Sequence, residues 1–428
     1  MNRSRRDFLS SVAGMASVGG LIGLAGCSSS CPDSGRPSAD ETLSFDEEPI
    51  GGFDTVPAGT WPTETGDAAN TGFATGQLPE SDLAVRWRTQ LDIPTEDGVG
   101  VDASAPVVGS DRVFVADPEG VHALSLRTGV LDWVSGPHSV TETERYGTYR
   151  PETIAPRIGP EGRVFVGLES GLVALDRTDG TVLWEARDFS AVAPPTIIDG
   201  TVIAQGERSV RAFQLDGTER WEVAASRGTG RRQPAAGSNT VVVRSDRGLR
   251  AYNIETGDRR WTRSFRAESA PVIDGATCFV GTDDGLALLD LSDGTDRFSY
   301  SRGEYMQFQS LVLTPETVYV VEQPPEAGAA SFALSRTDTG VEPRWCSYIG
   351  DGTVNAATED WALGLLSLDE GPGSERSVAA FSANVGSVPW GITSGSRSDT
   401  WLNPPAVLDG VLVLTTRGGQ TLAVSGGD

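Results

Sequence analysis

The chain has 428 residues, with 34 Lys and Arg residues against 59 Asp and Glu residues, which gives a net charge of −25. So acidic a chain excludes most nucleic-acid binding, because that function needs a basic face. Every basic residue is an arginine, and the carboxylates are spread along the whole chain. This distribution is typical of proteins that stay soluble in very high salt. We therefore expect the protein of an extreme halophile.

The first residues resemble an export signal. Arg5 and Arg6 form a twin-arginine pattern, and a weakly apolar, glycine-rich run follows from residue 12 to residue 26. This run is too short for a good membrane span. It ends in Leu-Ala-Gly-Cys, which resembles a lipobox, so cleavage would leave Cys27 as a lipidated N-terminus. Residues 1–27 are therefore predicted to be a twin-arginine lipoprotein signal peptide, with an ordinary signal peptide as the alternative.

Residues 28–58 are rich in Ser, Gly, Pro and acidic residues and contain few large apolar side chains. Such a segment buries too little apolar surface to fold, so we predict a disordered acidic tether. A flexible coil of this length reaches roughly 30 Å. Together with a lipid on Cys27, it would hold residues 59–428 at the outer face of the cytoplasmic membrane, with no segment that spans the membrane.

A motif that ends in an aromatic residue recurs through residues 59–428. One copy, ALDRTDGTVLW at residues 174–184, reads as a strand, a glycine turn and a second strand. Neighbouring anchors are 37 to 51 residues apart, a period that indicates a propeller or a solenoid. The anchors are Trp87, Trp133, Trp184, Trp221, Trp261, Trp345 and Trp390, with Phe298 in the same place between Trp261 and Trp345.

Upstream of most anchors, apolar runs and Asp-Gly turns add about two further strands to each unit. Runs such as residues 241–243 do not alternate polar with apolar side chains, which indicates strands covered on both faces, as in a propeller. Strands after Pro404 lack the motif, and residues 83–91 form a lone strand around Trp87. We therefore predict an all-β, eight-bladed β-propeller of four-stranded antiparallel blades. Its ring closes where the N-terminal strand joins the C-terminal strands, and each tryptophan packs against the next blade.

The motif resembles that of the PQQ-like (pyrroloquinoline-quinone-type) β-propeller repeat family, A-x-D-x-x-T-G-x-x-x-W. Ala174, Asp176, Gly180 and Trp184 match it, although Asp stands in the Thr position. Residues 61–72, WPTETGDAANTG, look like the first segment of many family members. The resemblance covers nearly all of residues 59–428 and implies the eight-bladed fold.

The family has two functional branches. Quinoprotein dehydrogenases of alcohols or sugars hold PQQ and calcium, and many carry an adjacent Cys-Cys pair. This sequence has no adjacent cysteines and no clear set of Glu, Asn and Asp ligands. The resemblance therefore favours the non-catalytic lipoprotein branch: a monomeric scaffold that needs no cofactor and binds an unknown protein or extracellular ligand. A PQQ-dependent dehydrogenase is the alternative, and a sensor module for a membrane partner is a third reading.

Segments that lead into the innermost strand of each blade are the usual place for propeller ligands. Aromatic, arginine and amide side chains there are favoured interface anchors. The predicted binding face comprises Tyr149, Arg150, Arg232, Glu268, Gln309, Asn355, Trp401 and Asn403. We expect Arg150, Arg232, Gln309 and Asn403 to converge on one end of the central channel. A solvated rim, in which each arginine pairs with a carboxylate, is the alternative.

Metal sites and cysteine pairs have weak sequence support. Residues 282–285, Thr-Asp-Asp-Gly, lack a complete set of oxygen ligands for calcium. His122 lies in a predicted strand with no visible partner, so no metal site is expected. Cys278 is predicted to be a buried strand residue, and a bridge between Cys278 and Cys346 stays open.

Overall fold

The structure is a computed structural model. It describes residues 38–93, 95–96, 99–100, 103–117, 120–135, 154–168, 171–191, 193–225, 233–301, 308–322, 329–350, 352–367, 376–394 and 402–427. Arg5, Arg6, Cys27 and the rest of the predicted signal peptide lie outside these residues.

Eight antiparallel sheets form the blades of a propeller, as predicted. Each of blades 1 to 7 contains four strands that follow one another in the chain, and neighbouring first strands contact each other between blades 1 and 2 and from blade 3 through blade 7. The second and third strands of each blade are largely buried on both faces because each sheet packs against two like sheets, whereas most fourth strands are partly exposed.

Blade 1 consists of β5 to β8 at Val107–Gly109, Arg112–Ala116, Val121–Ser125 and Leu131–Val134, and blade 2 of β9 to β12 at Arg157–Ile158, Arg163–Leu168, Gly171–Asp176 and Val182–Arg187. Blade 3 consists of β13 to β16 at Thr196–Ile198, Thr201–Gln205, Ser209–Gln214 and Glu219–Ala224, and blade 4 of β17 to β20 at Ala235–Gly237, Thr240–Ser245, Gly248–Asn253 and Arg259–Ser264. Those of blades 5 to 7 are β21 to β24 at Val272–Asp274, Thr277–Thr282, Gly285–Asp290 and Asp296–Tyr300, β25 to β28 at Phe308–Leu313, Thr317–Glu322, Ala329–Thr337 and Gly340–Gly350, and β29 to β32 at Thr353–Ala357, Trp361–Ser367, Arg376–Ser382 and Trp390–Thr393. Blade 8 has β33 to β35 at Ala406–Leu408, Val411–Thr415 and Gln420–Gly426, and the remaining strands are β1 at Glu41–Ser44, β2 at Leu83–Gln90, β3 at Thr95–Glu96 and β4 at Val99–Gly100.

Blade 8 is assembled from both ends of the chain. Its fourth strand is β2, which pairs antiparallel with β35 and brings Trp87 opposite Ala423. The predicted closure by an N-terminal strand is therefore confirmed, and it joins residues more than 300 positions apart in one sheet.

The predicted disordered tether needs a correction in its second half. Residues 41–44 form β1, which pairs parallel with β32 and makes blade 7 a five-stranded sheet. Leu43 and Phe45 are buried against the propeller. Burial of these two apolar side chains, together with the backbone pairing along β32, offsets the conformational entropy that is lost when this otherwise polar segment becomes ordered.

The repeated motif is a hairpin that joins one blade to the next. Its alanine and tryptophan face each other across the third and fourth strands, as Ala174 and Trp184 do. Gly180 has a φ of +74°, and a Cβ atom there would lie 2.6 Å from the ring of Trp133 in the preceding blade. Only glycine satisfies both constraints.

Each predicted docking tryptophan also donates its indole N–H to a backbone carbonyl outside its own blade. The acceptors are Leu126 for Trp87, Arg177 for Trp133, Leu215 for Trp184, Ile254 for Trp221, Leu291 for Trp261, Ala383 for Trp345 and Pro79, which precedes β2, for Trp390.

A segment that we name the collar, residues 58–77, runs around the inside of the ring. Its backbone forms hydrogen bonds with the inner-strand region of blades 1, 2, 4, 5, 6, 7 and 8; the partners are Val108, Ile158, Ala236, Ile273, Leu313, Ala357 and Gly410. Each partner lies at the middle or end of an inner strand or just beyond it. Because an inner strand has a free edge toward the axis, the collar supplies partners for edge N–H groups that would otherwise be unpaired.

Candidate functional site

The collar distinguishes the two ends of the central channel. It occupies the end where the inner strands finish, which we name the collar end. The segments that lead into the inner strands lie at the opposite end, the loop end. Of the eight residues predicted to form a binding face, Glu268, Gln309, Asn355 and Asn403 are described. Tyr149, Arg150, Arg232 and Trp401 lie outside the described residues, so their convergence stays a prediction.

Gln309 and Asn355 lie on the inner strands of blades 6 and 7, at positions offset by two residues, because Leu313 and Ala357 make the corresponding backbone bonds to the collar. Each is the extra residue of a β-bulge on an inner strand, because Phe308 and Ser310 pair with consecutive residues of β26, and Val354 and Ala356 pair with consecutive residues of β30. Both side chains are half-buried. A bulge turns one side chain out of the regular alternation of the strand and is frequent beside binding sites.

The two bulged strands are joined directly. The hydroxyl of Ser310 on β25 donates to the backbone carbonyl of Val354 on β29. The hydroxyl of Thr353 donates to Oδ1 of Asn355 at 2.8 Å and fixes the orientation of that amide. The two bulged strands are thus joined side by side, and the Asn355 amide is oriented by Thr353.

Asn403 has a structural role in the ring. Its Nδ2 donates to the carbonyl oxygens of Ala103 at 2.9 Å and Ser104 at 3.2 Å. Both acceptors belong to the segment that leads into β5 of blade 1. Asn403 therefore ties blade 8 to blade 1 at the loop end, beside the closure of the ring.

Glu268 is a nearly buried carboxylate between two arginines. Its Oε1 lies 2.6 Å from Nε of Arg266, whose side chain is largely exposed. Burial lowers the pKa of Arg244, and the charge of Glu268 opposes this shift. The carboxylate thus offsets local positive charge and is engaged by the protein itself.

A buried acid–imidazole pair was missed in the sequence. His122 Nε2 lies 2.9 Å from Oδ2 of Asp117, and both side chains are almost inaccessible. The other carboxylate oxygen of Asp117 accepts the backbone N–H of Gly120, which closes the turn between β6 and β7. The spacing of five residues across a hairpin is the only sequence signal. The hydrogen bond between the two side chains braces the hairpin.

Polar side chains of the collar and of β9 are buried, and Asn70 reaches the segments that lead into β17 and β21. Asn70, at a φ of +64°, donates from Nδ2 to the carbonyls of Gln233 at 3.0 Å and Pro271 at 3.1 Å. Arg157 is fully buried and donates to the backbone carbonyl of Asp67. Burial lowers the pKa of Arg157 to about 9, opposed by the nearby charge of Asp67. These bonds fix the collar to blades 2, 4 and 5.

The two described cysteines are not paired with each other. Cys278 is a free, fully buried residue of β22, as predicted, and burial raises the pKa of its thiol to about 12. Cys346, on β28, is disulfide-bonded. The Cys278–Cys346 bridge that the sequence left open is therefore absent.

Within the described ranges, no three His, Cys, Asp or Glu side chains are placed to hold a metal ion. Over those same ranges, no helix has both the length and the apolar character needed to cross a membrane.

Comparison with known proteins relates the chain to a propeller family. The PQQ_2 family, described as outer membrane protein assembly factor BamB, matches residues 76–205 and 154–340, which together exceed half of the chain. The assembly factor BamB of Moranella endobia is 25% identical over 243 residues, which cover 51% of this chain and 61% of that protein. The serine/threonine-protein kinase AfsK of Streptomyces coelicolor is 31% identical over 179 residues, which cover 40% of this chain and 19% of the kinase. The matches thus span less than two thirds of either relative.

Among solved structures, the quinohemoprotein alcohol dehydrogenase of Comamonas testosteroni is similar in fold. It superposes with a TM-score of 0.63 at 16% sequence identity, over 86% of this chain and 81% of the enzyme. Identity at this level shows a common fold, and the chemistry has to be argued from the residues of the site.

Proposed function

Because the chain belongs to the PQQ_2 propeller family of the assembly factor BamB, we propose that it is an exported scaffold that binds a protein or an extracellular ligand. It catalyses no reaction and needs no cofactor. A lipid on Cys27 holds it at the outer face of the cytoplasmic membrane.

The observation that carries this proposal is the difference between the two channel ends. The backbone of the collar pairs with the inner strands at their middle or end, and Asn70 of the collar is buried against the segments that lead into blades 4 and 5. A partner therefore approaches from the loop end. In blades 6 and 7, Gln309 and Asn355 are set out of the regular strand by bulges.

Amide side chains give this site its chemical preference. Each amide offers N–H donors and a carbonyl acceptor without a net charge. Such groups bind the backbone or the hydroxyl groups of a partner equally well in concentrated salt, whereas exposed ion pairs are screened there. The site therefore suits a neutral, hydrogen-bonding surface, in keeping with a protein whose own charge is −25.

The second candidate, a quinone-dependent dehydrogenase, rests on the fold shared with the Comamonas enzyme. Calcium beside a quinone needs several convergent oxygen ligands. Glu268, a carboxylate beside the loop end, is engaged by Arg266, and in the described part of the chain the acids and histidines do not converge in threes. These residues do not fit a quinone–calcium pair.

Partner binding is tested by crosslinking in native membranes at native salt, followed by quantitative mass spectrometry. Three forms of the full chain are compared: the natural sequence, the double variant Gln309→Ala/Asn355→Ala, and the control Gln214→Ala. Gln214 is an exposed amide at the end of β15, away from the inner strands. We expect one set of partners with the natural chain and the control, and at least a tenfold loss with the double variant. Equal capture by all three forms would refute the site.

A separate assay tests the second candidate function, a quinone-dependent dehydrogenase. The purified chain is titrated with PQQ and Ca²⁺, and dye reduction is measured with alcohols and sugars. We expect no turnover above that of the free quinone. Reproducible turnover that depends on the protein would replace the scaffold with the dehydrogenase.

A further inference from the structure

The exposed apolar side chains of the propeller are gathered at one end of the molecule. In the described part of the chain, eight large apolar side chains are exposed, and seven of them lie at the collar end beside blades 7, 8, 1 and 2. We name these seven the apolar rim: Ile50, Val56, Val130, Leu131, Val182, Leu183 and Val385. The eighth, Val134, ends β8 at the loop end. We propose that the apolar rim rests on a lipid surface.

The direction of the strands places the rim at the collar end. In an antiparallel blade the first and third strands finish at the same end, so the turn between the third and fourth strands lies at the collar end. Val130 lies in that turn in blade 1, and Val385 lies in that turn in blade 7. Val182 and Leu183 are the first two residues of β12, the fourth strand of blade 2.

The segment between β1 and the collar crosses the same end. The backbone N–H of Ile50 donates to the carbonyl of Val85 near the start of β2, and the backbone N–H of Phe53 donates to the carbonyl of Arg127 in the turn before β8, both at 2.9 Å. Both acceptors lie at the collar end, because β2 and β8 are fourth strands and begin there. The segment therefore carries its exposed side chains, Ile50 and Val56, along the collar end of blades 8 and 1.

Neighbouring blades carry charge where the rim is apolar. Directly before the aromatic residue of the clasp hairpin, blade 2 has Val182 and Leu183, whereas blades 3, 4 and 5 have Glu-Arg, Arg-Arg and Asp-Arg. Charged side chains are a usual protection of an outer sheet edge. Their replacement by clustered apolar side chains in one part of the ring marks a contact surface.

The residue types and the position of the N-terminal segment favour lipid over protein as the occupant. Hot spots of protein interfaces are enriched in Trp, Tyr and Arg and depleted in Leu and Val, whereas the rim consists of Val, Leu and Ile. The backbone N–H of Asp40 donates to the carbonyl of Val388, which lies in the same turn as Val385. Asp40 follows Cys27 by thirteen residues, a reach of at most about 45 Å. The inference rests here on the proposed function, because a lipid on Cys27 brings the membrane within that reach.

Charge beside the rim indicates the kind of lipid contact. Glu47, Glu48 and Asp54 are exposed in the segment that carries Ile50, so an anionic lipid surface would repel it at low salt. Concentrated salt screens this repulsion, whereas burial of apolar area in the lipid interface is kept. The rim therefore suits a shallow contact that depends on apolar burial, with the loop end directed away from the lipid.

The test maps lipid contacts on the full-length protein, purified from native membranes and reconstituted at native salt into phosphatidylcholine vesicles. The vesicles contain a lipid with a photoactivatable acyl chain, and mass spectrometry locates its adducts after illumination. We expect adducts on the rim to exceed those at Val134 and on the fourth strands of blades 3 to 5 by at least tenfold. Adducts spread evenly over the blades, or absent from the rim, would overturn the proposal.

A triple variant tests the rim directly: Val130→Asp, Leu183→Arg and Val385→Asp. Each change introduces the residue type that stands at the matching place in blade 4, 3 or 2, and all three side chains are exposed, so the fold should be kept. Adducts at the unchanged Ile50 should fall at least fivefold. The control Val134→Asp adds one negative charge, as the triple variant does in total, and should leave those adducts unchanged. Equal adducts in the triple variant and the control would contradict a lipid contact at the rim.

The outcomes separate this inference from the proposed function. Lipid on Cys27 with evenly spread adducts would refute the rim contact and leave the anchored scaffold standing. Adducts concentrated on the rim without lipid on Cys27 would support the rim contact and remove the anchor. Crosslinks from the rim to a second copy or to a copurified protein, in place of lipid adducts, would refute the lipid contact and make the rim a protein interface.

Discussion

Blades 2 to 5 and blades 6 and 7 come from the same repeat, yet their inner strands differ. The inner strands of blades 2 to 5 have two or three residues and pair without a bulge, whereas β25 and β29 have six and five residues and one bulge each. The same two blades carry the added strand β1 and the bonded Cys346. Bulged inner strands, an added strand and a bonded cysteine thus occur together in blades 6 and 7.

The junction between these sectors also differs, at blade 5. In blade 4, the small Ala251 faces Trp261, but in blade 5 Leu288 faces Phe298. A larger residue on the third strand accompanies a smaller ring on the fourth. We name the hairpin contact that joins one blade to the next the clasp. Since cores tolerate exchanges that conserve total volume, the clasp is defined by the cross-strand pair of side chains and not by the tryptophan alone.

The largest effect on stability is expected from a clasp in blades 2 to 5, whose inner strands have no bulge. Trp261 is buried, and its indole N–H donates to Leu291 at 2.9 Å. Trp261→Ala should lower the free energy of unfolding by about 3–5 kcal/mol through the cavity and the lost bond. The control Trp261→Phe should cost only about 1–2 kcal/mol, because the ring is largely kept. Denaturant unfolding at constant salt measures both, and equal losses would contradict this account of the clasp.

The collar should give the next largest effect. Asn70→Ala leaves the carbonyls of Gln233 and Pro271 without their donor and places alanine at a φ of +64°. We expect a loss of about 2–4 kcal/mol from the two unsatisfied acceptors and the left-handed backbone. The exposed Asn384 supplies the control, and Asn384→Ala should change stability by no more than about 0.5 kcal/mol. A small effect of Asn70→Ala would mean that the collar contributes little to the ring.

Two asparagines of the predicted binding face should behave differently. Asn403 holds two carbonyls of blade 1, so Asn403→Ala should destabilise the protein by about 1–3 kcal/mol. Asn355 accepts one bond from Thr353, and Asn355→Ala should cost less than about 1 kcal/mol while it weakens partner binding. Thermal unfolding of the two variants in the same salt compares them. The reverse order would assign the structural role to Asn355.

The architecture was predictable because its signal is local and repeated. Alanine, glycine and tryptophan recur at fixed spacing, and each copy forms one hairpin whose contacts with the next blade are the same. Blade 8 was predictable by counting strands. The sequence placed Gln309 and Asn355 in lead-in segments, whereas both lie within inner strands as bulge residues, because a bulge depends on the register of the partner strand.

The collar and β1 were not predictable for a different reason. The collar pairs through backbone carbonyls with blades distant in the chain, and such bonds leave no side-chain pattern. In β1, only Leu43 and Phe45 of a polar stretch reach the core. Asn403 was assigned to a binding face because an amide that serves a neighbouring backbone looks the same in sequence as one that serves a ligand.

The smallest net effect is expected when the blade 5 clasp is converted to the common form. Phe298→Trp alone should overpack against Leu288 and cost about 1–3 kcal/mol. Leu288→Ala alone should open a cavity and cost about 2–4 kcal/mol. The double variant rebuilds the Ala–Trp pair, so its net change should fall within about 1 kcal/mol of the natural protein, with a favourable coupling energy of about 1–3 kcal/mol. A double-mutant cycle of unfolding free energies measures that coupling. Additive losses would show that blade 5 differs from its neighbours by more than the exchange of volume across one pair of strands.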